Sequence, residues 1–136
     1  MNTMKTLTKI YYGFLIIFRI PTYVIHEILH FIPAVLFKTS PELSMNLDFS
    51  KGTSDPCVTY VFTGFKYKEF IISASPVLGI LIPVVLSIVT FNPIVIIFTL
   101  YQFINFKFAF LSPTDIKYMK DFESTKSKYE SYEDCN

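Results

Sequence analysis

The sequence predicts an all-α membrane protein: three transmembrane helices, a short β-hairpin in the loop after the first, and a short C-terminal cytoplasmic helix or tail. Three observations carry that expectation. Half of the 136 residues are hydrophobic (51%), 18% are aromatic and the mean hydropathy is +0.44, more apolar surface than so small a domain can bury. The apolar residues fall into three runs, each about long enough to cross a bilayer. Only 17% of the residues are charged, and they gather between and after the runs. By length the chain is one domain, with residues 1–118 as a membrane-embedded unit and 119–136 as a polar tail. A net charge of +1 and four glycines in all leave neither a basic tract nor a phosphate-cradling loop, so no nucleic-acid partner is expected.

Residues 1–8 read as a short polar lead. Lys9 to Phe37 is helical in pattern and almost uniformly apolar, close to 40 Å long if unbroken. It lacks the small-residue cleavage site of a signal peptide, so it reads as a retained membrane helix. Pro21 and Pro33 predict kinks. Lys38 to Ser44 is a loop by composition. Met45 to Phe49 alternates weakly, Lys51 to Pro56 is a turn cluster, and Cys57 to Thr63 is rich in β-branched and aromatic residues and ends at Gly64. Together these suggest a hairpin with a free edge, which could pair with an extended peptide or simply pack on the bundle. On the first option Val58 and Tyr60 are candidate substrate contacts. Cys57 and Cys135 lack any partner spacing, so a disulfide is possible but not indicated.

Phe70 to Thr90 is the second apolar run. Its Ser73-Ala74-Ser75-Pro76 and Gly79 would let a neighbouring helix approach closely. Phe91-Asn92-Pro93 is a tight turn. The third run, Ile94 to Leu111, is interrupted by Gln102, Asn105 and Lys107. The lysines set an orientation: Lys38, Lys51, Lys66 and Lys68 in the first loop and Lys117, Lys120, Lys126 and Lys128 in the tail outnumber Lys5 and Lys9. Positive-inside bias then puts the N-terminus outside and the C-terminus in the cytoplasm.

Within the first run lies His26-Glu27-Ile28-Leu29-His30, which contains both histidines of the chain. This five-residue pattern arises by chance in roughly one chain of this length in several hundred. Four residues advance a helix by about 400°, so the two imidazoles stack on one face and can converge on one metal ion. Glu27 sits about 100° away, where its carboxylate could reach a metal-bound water. Two histidines and a carboxylate in an apolar helix are costly unless paired or ligating; the bland alternative is a pair of hydrogen-bonded core histidines. Arg19 and Tyr23 share the stripe, Arg19 either as a snorkelling charge or as part of a polar face.

A catalytic zinc usually has three protein ligands and an open position. A third histidine at metzincin spacing is absent, because Pro33 and Leu36 stand where glycine and histidine would be. Glu42, Glu69 and Asp115 are the acidic candidates. Asp115 is preferred because it lies at the cytoplasmic end of the third run, at the depth of His26 and His30. Ser112, Pro113 and Asp115 also make a good helix start without any metal.

The apolar helix with His26-Glu27-x-x-His30, the Ser73-Ala74-Ser75-Pro76 segment and the late Asp115 together resemble the site-2 protease class, and especially the small zincin-type membrane peptidases related to it. The resemblance covers most of residues 10–120. It implies an intramembrane zinc metalloprotease, with His26, His30 and Asp115 as Zn2+ ligands and Glu27 as general base. Residues 45–63 would correspond to the family's cytoplasmic hairpin, and Asn105 to an asparagine that precedes the aspartate motif and contacts substrate. The chain departs from the family at Thr114-Asp115-Ile116, where Leu-Asp-Gly is usual, and at Ser75, where glycine precedes the proline. The expected partners are membrane lipid and a membrane-protein or peptide substrate; the sequence does not set an oligomeric state. Two other functions fit the same residues: a metal-binding membrane regulator or adaptor without turnover, and a small ion-handling protein using Arg19, His26, Glu27 and His30 as a polar pathway.

Overall fold

The computed structural model describes residues 2–48, 50–51, 53–61 and 63–121. Helix α1 runs from Asn2 to Leu36, about 52 Å at 1.5 Å per residue. The expected polar lead is therefore helical. It has no glycine or proline to stop a helix once the long apolar run behind it has nucleated one, and Thr8 returns its hydroxyl to the Met4 carbonyl at 2.9 Å. The helix ends at Lys38, whose φ of +58° is left-handed and whose amide turns back to Val35.

The hairpin forms, shifted toward the N-terminus of its expected range. Strand β1 (Glu42–Asp48) pairs antiparallel with β2 (Thr53–Thr59), with Leu43 opposite Val58. Thr53 to Pro56, expected as turn, belongs to β2. The turn sits earlier, where Asp48 Oδ1 accepts from the amides of Ser50 and Lys51 at 2.9 and 3.3 Å. Cys57 is disulfide-bonded, which its spacing did not indicate; Cys135 lies outside the described residues. Strand β2 packs along α1.

The second apolar run starts earlier than expected, as α2 (Lys66–Ala74), passes through a 3₁₀ turn at Ser75–Val77, and continues as α3 (Leu78–Thr90). Phe91, at φ +49°, ends α3. Asn92 caps α4 (Pro93–Ile104) by accepting from the Ile94 amide at 2.9 Å.

The third apolar run is not one straight helix. It breaks at Asn105 into α4 and the single turn α5 (Phe106–Ala109), and α6 (Pro113–Lys120) follows. The two halves of this segment, residues 93–104 and 106–120, meet at 89°. Asn105 is buried, and its amide side chain donates to the Tyr101 carbonyl at 3.1 Å. The Asn105 backbone amide bonds the same carbonyl at 3.1 Å, closing the last turn of α4. Two helices, Thr3–Leu36 and Lys66–Thr90, are thus long and apolar enough to cross a membrane, and the bent segment makes up to three. Of the tail, residues 122–136 lie outside the described residues.

Helix α1 is the axis of the fold, contacting β2, α2, α3 and α5. Buried polar side chains stitch the helices, as expected where water is absent. Thr22 donates to Gln102 Oε1 at 3.0 Å, Gln102 Nε2 donates to the Gly79 carbonyl at 3.1 Å, and Ser87 and Thr99 share a 2.8 Å bond. Gly79 is the close approach: a Cβ there would lie 3.0 Å from Leu29 Cδ1. Large apolar side chains such as Phe14, Ile17, Val89 and Ile97 point outward, the reverse of a water-soluble core.

Candidate metal centre

One helix supplies two of the site's side chains. His26 and His30, one turn apart on α1, are 7% and 9% exposed, and their Nε2 atoms approach to 3.2 Å. The third side chain comes from the far end of the chain. Helix α6 packs against α2 and brings Asp115 beneath the histidines, with Oδ2 3.4 Å from His26 Nε2 and Oδ1 3.3 Å from His30 Nε2. Among the described residues these three form the one group of His, Cys, Asp or Glu side chains able to hold a metal ion.

The spacing can be tested against a cation. A tetrahedral ion with bonds of about 2.0–2.1 Å to nitrogen and oxygen needs its ligand atoms about 3.3 Å apart. The Nε2–Nε2 edge of 3.2 Å and the Asp115 Oδ1–His30 Nε2 edge of 3.3 Å meet that requirement. The 3.4 Å approach to His26 is made by the other oxygen, Oδ2, and one ligand atom from each of the three residues lies within 4.8 Å of the others.

Protonation also fits. His30 Nδ1 lies 2.6 Å from the Ile72 carbonyl oxygen. A carbonyl only accepts, so Nδ1 carries a proton; in the neutral ring that leaves the Nε2 lone pair to face the centre, the usual arrangement behind a metal-ligating histidine. Asp115 meanwhile caps its own helix. Its Oδ2 accepts from the amide and hydroxyl of Ser112, each at 2.8 Å, and the Asp115 amide donates back to Ser112 Oγ at 3.1 Å. Capping and facing the histidines coexist because a carboxylate has about four acceptor positions.

Glu27 stands beside the trio, with Oε1 3.9 Å from His26 Nε2. The backbone amide of Val58 faces its carboxylate as a hydrogen-bond donor. The hairpin therefore touches the site through β2, and Val58 is buried there.

The other acidic candidates do different work. Glu69 is 1% exposed. Its carboxylate accepts from Tyr60 Oη at 2.6 Å and from the Thr63 amide and hydroxyl at 2.7 Å each, so it clamps the segment leaving the hairpin. Glu42 lies exposed on β1 opposite Thr59. Tyr60, expected as a substrate contact, is thus bonded to Glu69, and Asn105 sits at the α4–α5 break. Arg19 stacks its guanidinium 4.6 Å from the Phe108 ring, and that ring lies 5.0 Å from Tyr23. Arg19 is therefore outside the trio. The Ile72 carbonyl escaped sequence reasoning because a backbone atom carries no residue signature. No family model, no curated protein and no solved structure matches the chain.

Proposed function

We propose that the chain is an intramembrane zinc metalloprotease that hydrolyses peptide bonds in or near membrane segments. One observation carries this reading: Asp115 lies within 3.4 Å of both histidine Nε2 atoms, although 85 positions (115 − 30) separate it from His30 in the sequence. His26, His30 and Asp115 are the proposed zinc ligands. Zinc, when bound, acts as a Lewis acid and brings the pKa of water toward neutrality. Glu27 takes the proton of the attacking water and returns it to the leaving amine. The two-stranded hairpin reaches Glu27 through β2, and a sheet edge suits an extended, unwound substrate segment, with Val58 its nearest contact. In this reading the N-terminus is outside, and the lysine-rich first loop and the C-terminus are cytoplasmic.

A second reading is a metal-binding membrane protein without turnover. It is served by the same three ligand side chains and makes no demand on Glu27. Metal analysis and cleavage of membrane-embedded peptides, measured on purified protein, separate the two. The protease reading expects about one zinc per chain, zinc retained but cleavage lost in Glu27→Gln, and zinc lost in Asp115→Ala. Full zinc in Asp115→Ala overturns the ligand set, and undiminished cleavage by Glu27→Gln overturns the mechanism.

A further inference from the structure

We infer that Pro76 is a positioning residue for the metal centre: by withholding a backbone N–H it leaves the Ile72 carbonyl free to fix the tautomer and orientation of His30. The inference rests on reading His26, His30 and Asp115 as metal ligands. In an α-helix the carbonyl of residue 72 takes the amide of residue 76. Residue 76 is proline, which has none. The vacancy falls inside the protein, where Ile72 and Pro76 are among the most completely buried residues and an unsatisfied acceptor is costly.

Two side chains fill it. Ser75 Oγ donates to the Ile72 carbonyl at 2.7 Å and His30 Nδ1 at 2.6 Å. The Ser75 amide goes instead to Ile71. Two donors saturate the two lone pairs of a carbonyl. An amide at position 76 would be a third, aimed along the helix axis and competing with the imidazole. Pro83 repeats the device one helix later: its missing N–H frees the Gly79 carbonyl, which Gln102 Nε2 takes at 3.1 Å. In both cases a proline in a membrane-spanning helix converts a helical acceptor into a cross-helix one. At Pro76 the donor is the ring whose other nitrogen faces Asp115.

The test compares full-length wild type, Pro76→Ala, and a chain carrying N-methylalanine at position 76, all in detergent micelles. N-methylalanine lacks both the N–H and the ring. Zinc affinity is read by competition with a chromophoric chelator, and the His30 tautomer by ¹⁵N NMR of the zinc-free protein. Pro76→Ala is expected to weaken zinc binding about 10- to 100-fold, the usual effect of losing the partner behind a ligand, and to convert His30 from the Nδ1–H form to a mixture. N-methylalanine restores both. Zinc affinity within twofold of wild type in Pro76→Ala, with His30 still Nδ1–H, overturns the inference; so does an N-methylalanine chain that behaves like the alanine variant, since the ring would then be what matters. If Pro76→Ala does not fold, the N-methylalanine chain decides by the same two readouts. A wild type that binds no zinc refutes the metal reading, and the tautomer comparison still decides on Pro76.

Discussion

At Asp115 one carboxylate serves a helix end and a side-chain cluster together, and substitution can separate the two roles. Asparagine keeps an oxygen for the Ser112 cap and removes the charge that faces His26 and His30. Asp115→Asn is expected to lose at least tenfold in zinc affinity with little change in thermal stability. Asp115→Ala should lose the metal and, in addition, about 1 kcal/mol of capping, as read by calorimetry of the zinc-free proteins. Glu69 gives the opposite pattern. Its three donors are lost in Glu69→Ala, leaving Tyr60 and Thr63 without their acceptor. Hydrogen bonds to a charged group contribute about 1.5–3 kcal/mol each and are not additive, so a drop of about 3 kcal/mol in unfolding free energy is expected, with zinc stoichiometry unchanged. A fall in stoichiometry with stability intact would return Glu69 to the list of ligands.

Among the elements, the contact between α1 and α3 is set by small size at Gly79 and by the Gln102 bridge. Gly79→Ala pushes only on the mobile end of Leu29, so its effect should stay under about 1 kcal/mol. Gly79→Leu must part the helices and should cost about 2 kcal/mol or more, in the range of core overpacking. Gln102→Leu removes bonds to Thr22 and Gly79; at about 0.6 kcal/mol for an average membrane hydrogen bond, the pair is worth about 1 kcal/mol in chemical unfolding. The hairpin is held at its base by the Val61 amide on the Thr39 carbonyl at 2.9 Å and by the Glu69 clamp. Those ties, together with the packing on α1, hold Val58 against Glu27.

For the whole molecule, the candidate centre joins α1, α2 and α6, the beginning, middle and end of the described chain. A ligand that binds only the folded state stabilises it by RT ln(1 + [L]/Kd), about 2.7 kcal/mol at one hundred times Kd. Zinc is therefore expected to raise the unfolding temperature of the wild type, and a chelator to reverse the gain. His30→Ala should show no zinc-dependent shift. An equal shift in His30→Ala would mean that the ion binds elsewhere. The proposed orientation is tested in sealed cells: a cysteine at Met4 should react with a membrane-impermeant maleimide, and one at Lys120 only after permeabilisation.

The sequence by itself determined what depends on near neighbours. Apolar run length fixed the two long helices, since every backbone group in a bilayer must be bonded within its own segment. The four-residue spacing fixed the convergence of His26 and His30, and Ser112-Pro113-x-Asp115 fixed the start of α6. Local pattern did not show the bend in the third run, because Asn105 puts both its amide and its side chain on the Tyr101 carbonyl inside a buried setting that only packing creates. Depth along the third run already preferred Asp115, but tertiary structure decided that it meets the histidines. Glu69 and Glu42 stayed open from their places in the sequence until the packing of α6 on α2, and of the hairpin exit on Glu69, separated them from the site. It also decided that Pro76 in one helix leaves an acceptor for His30 in another: a missing N–H can be read from the sequence, but the group that takes its place cannot.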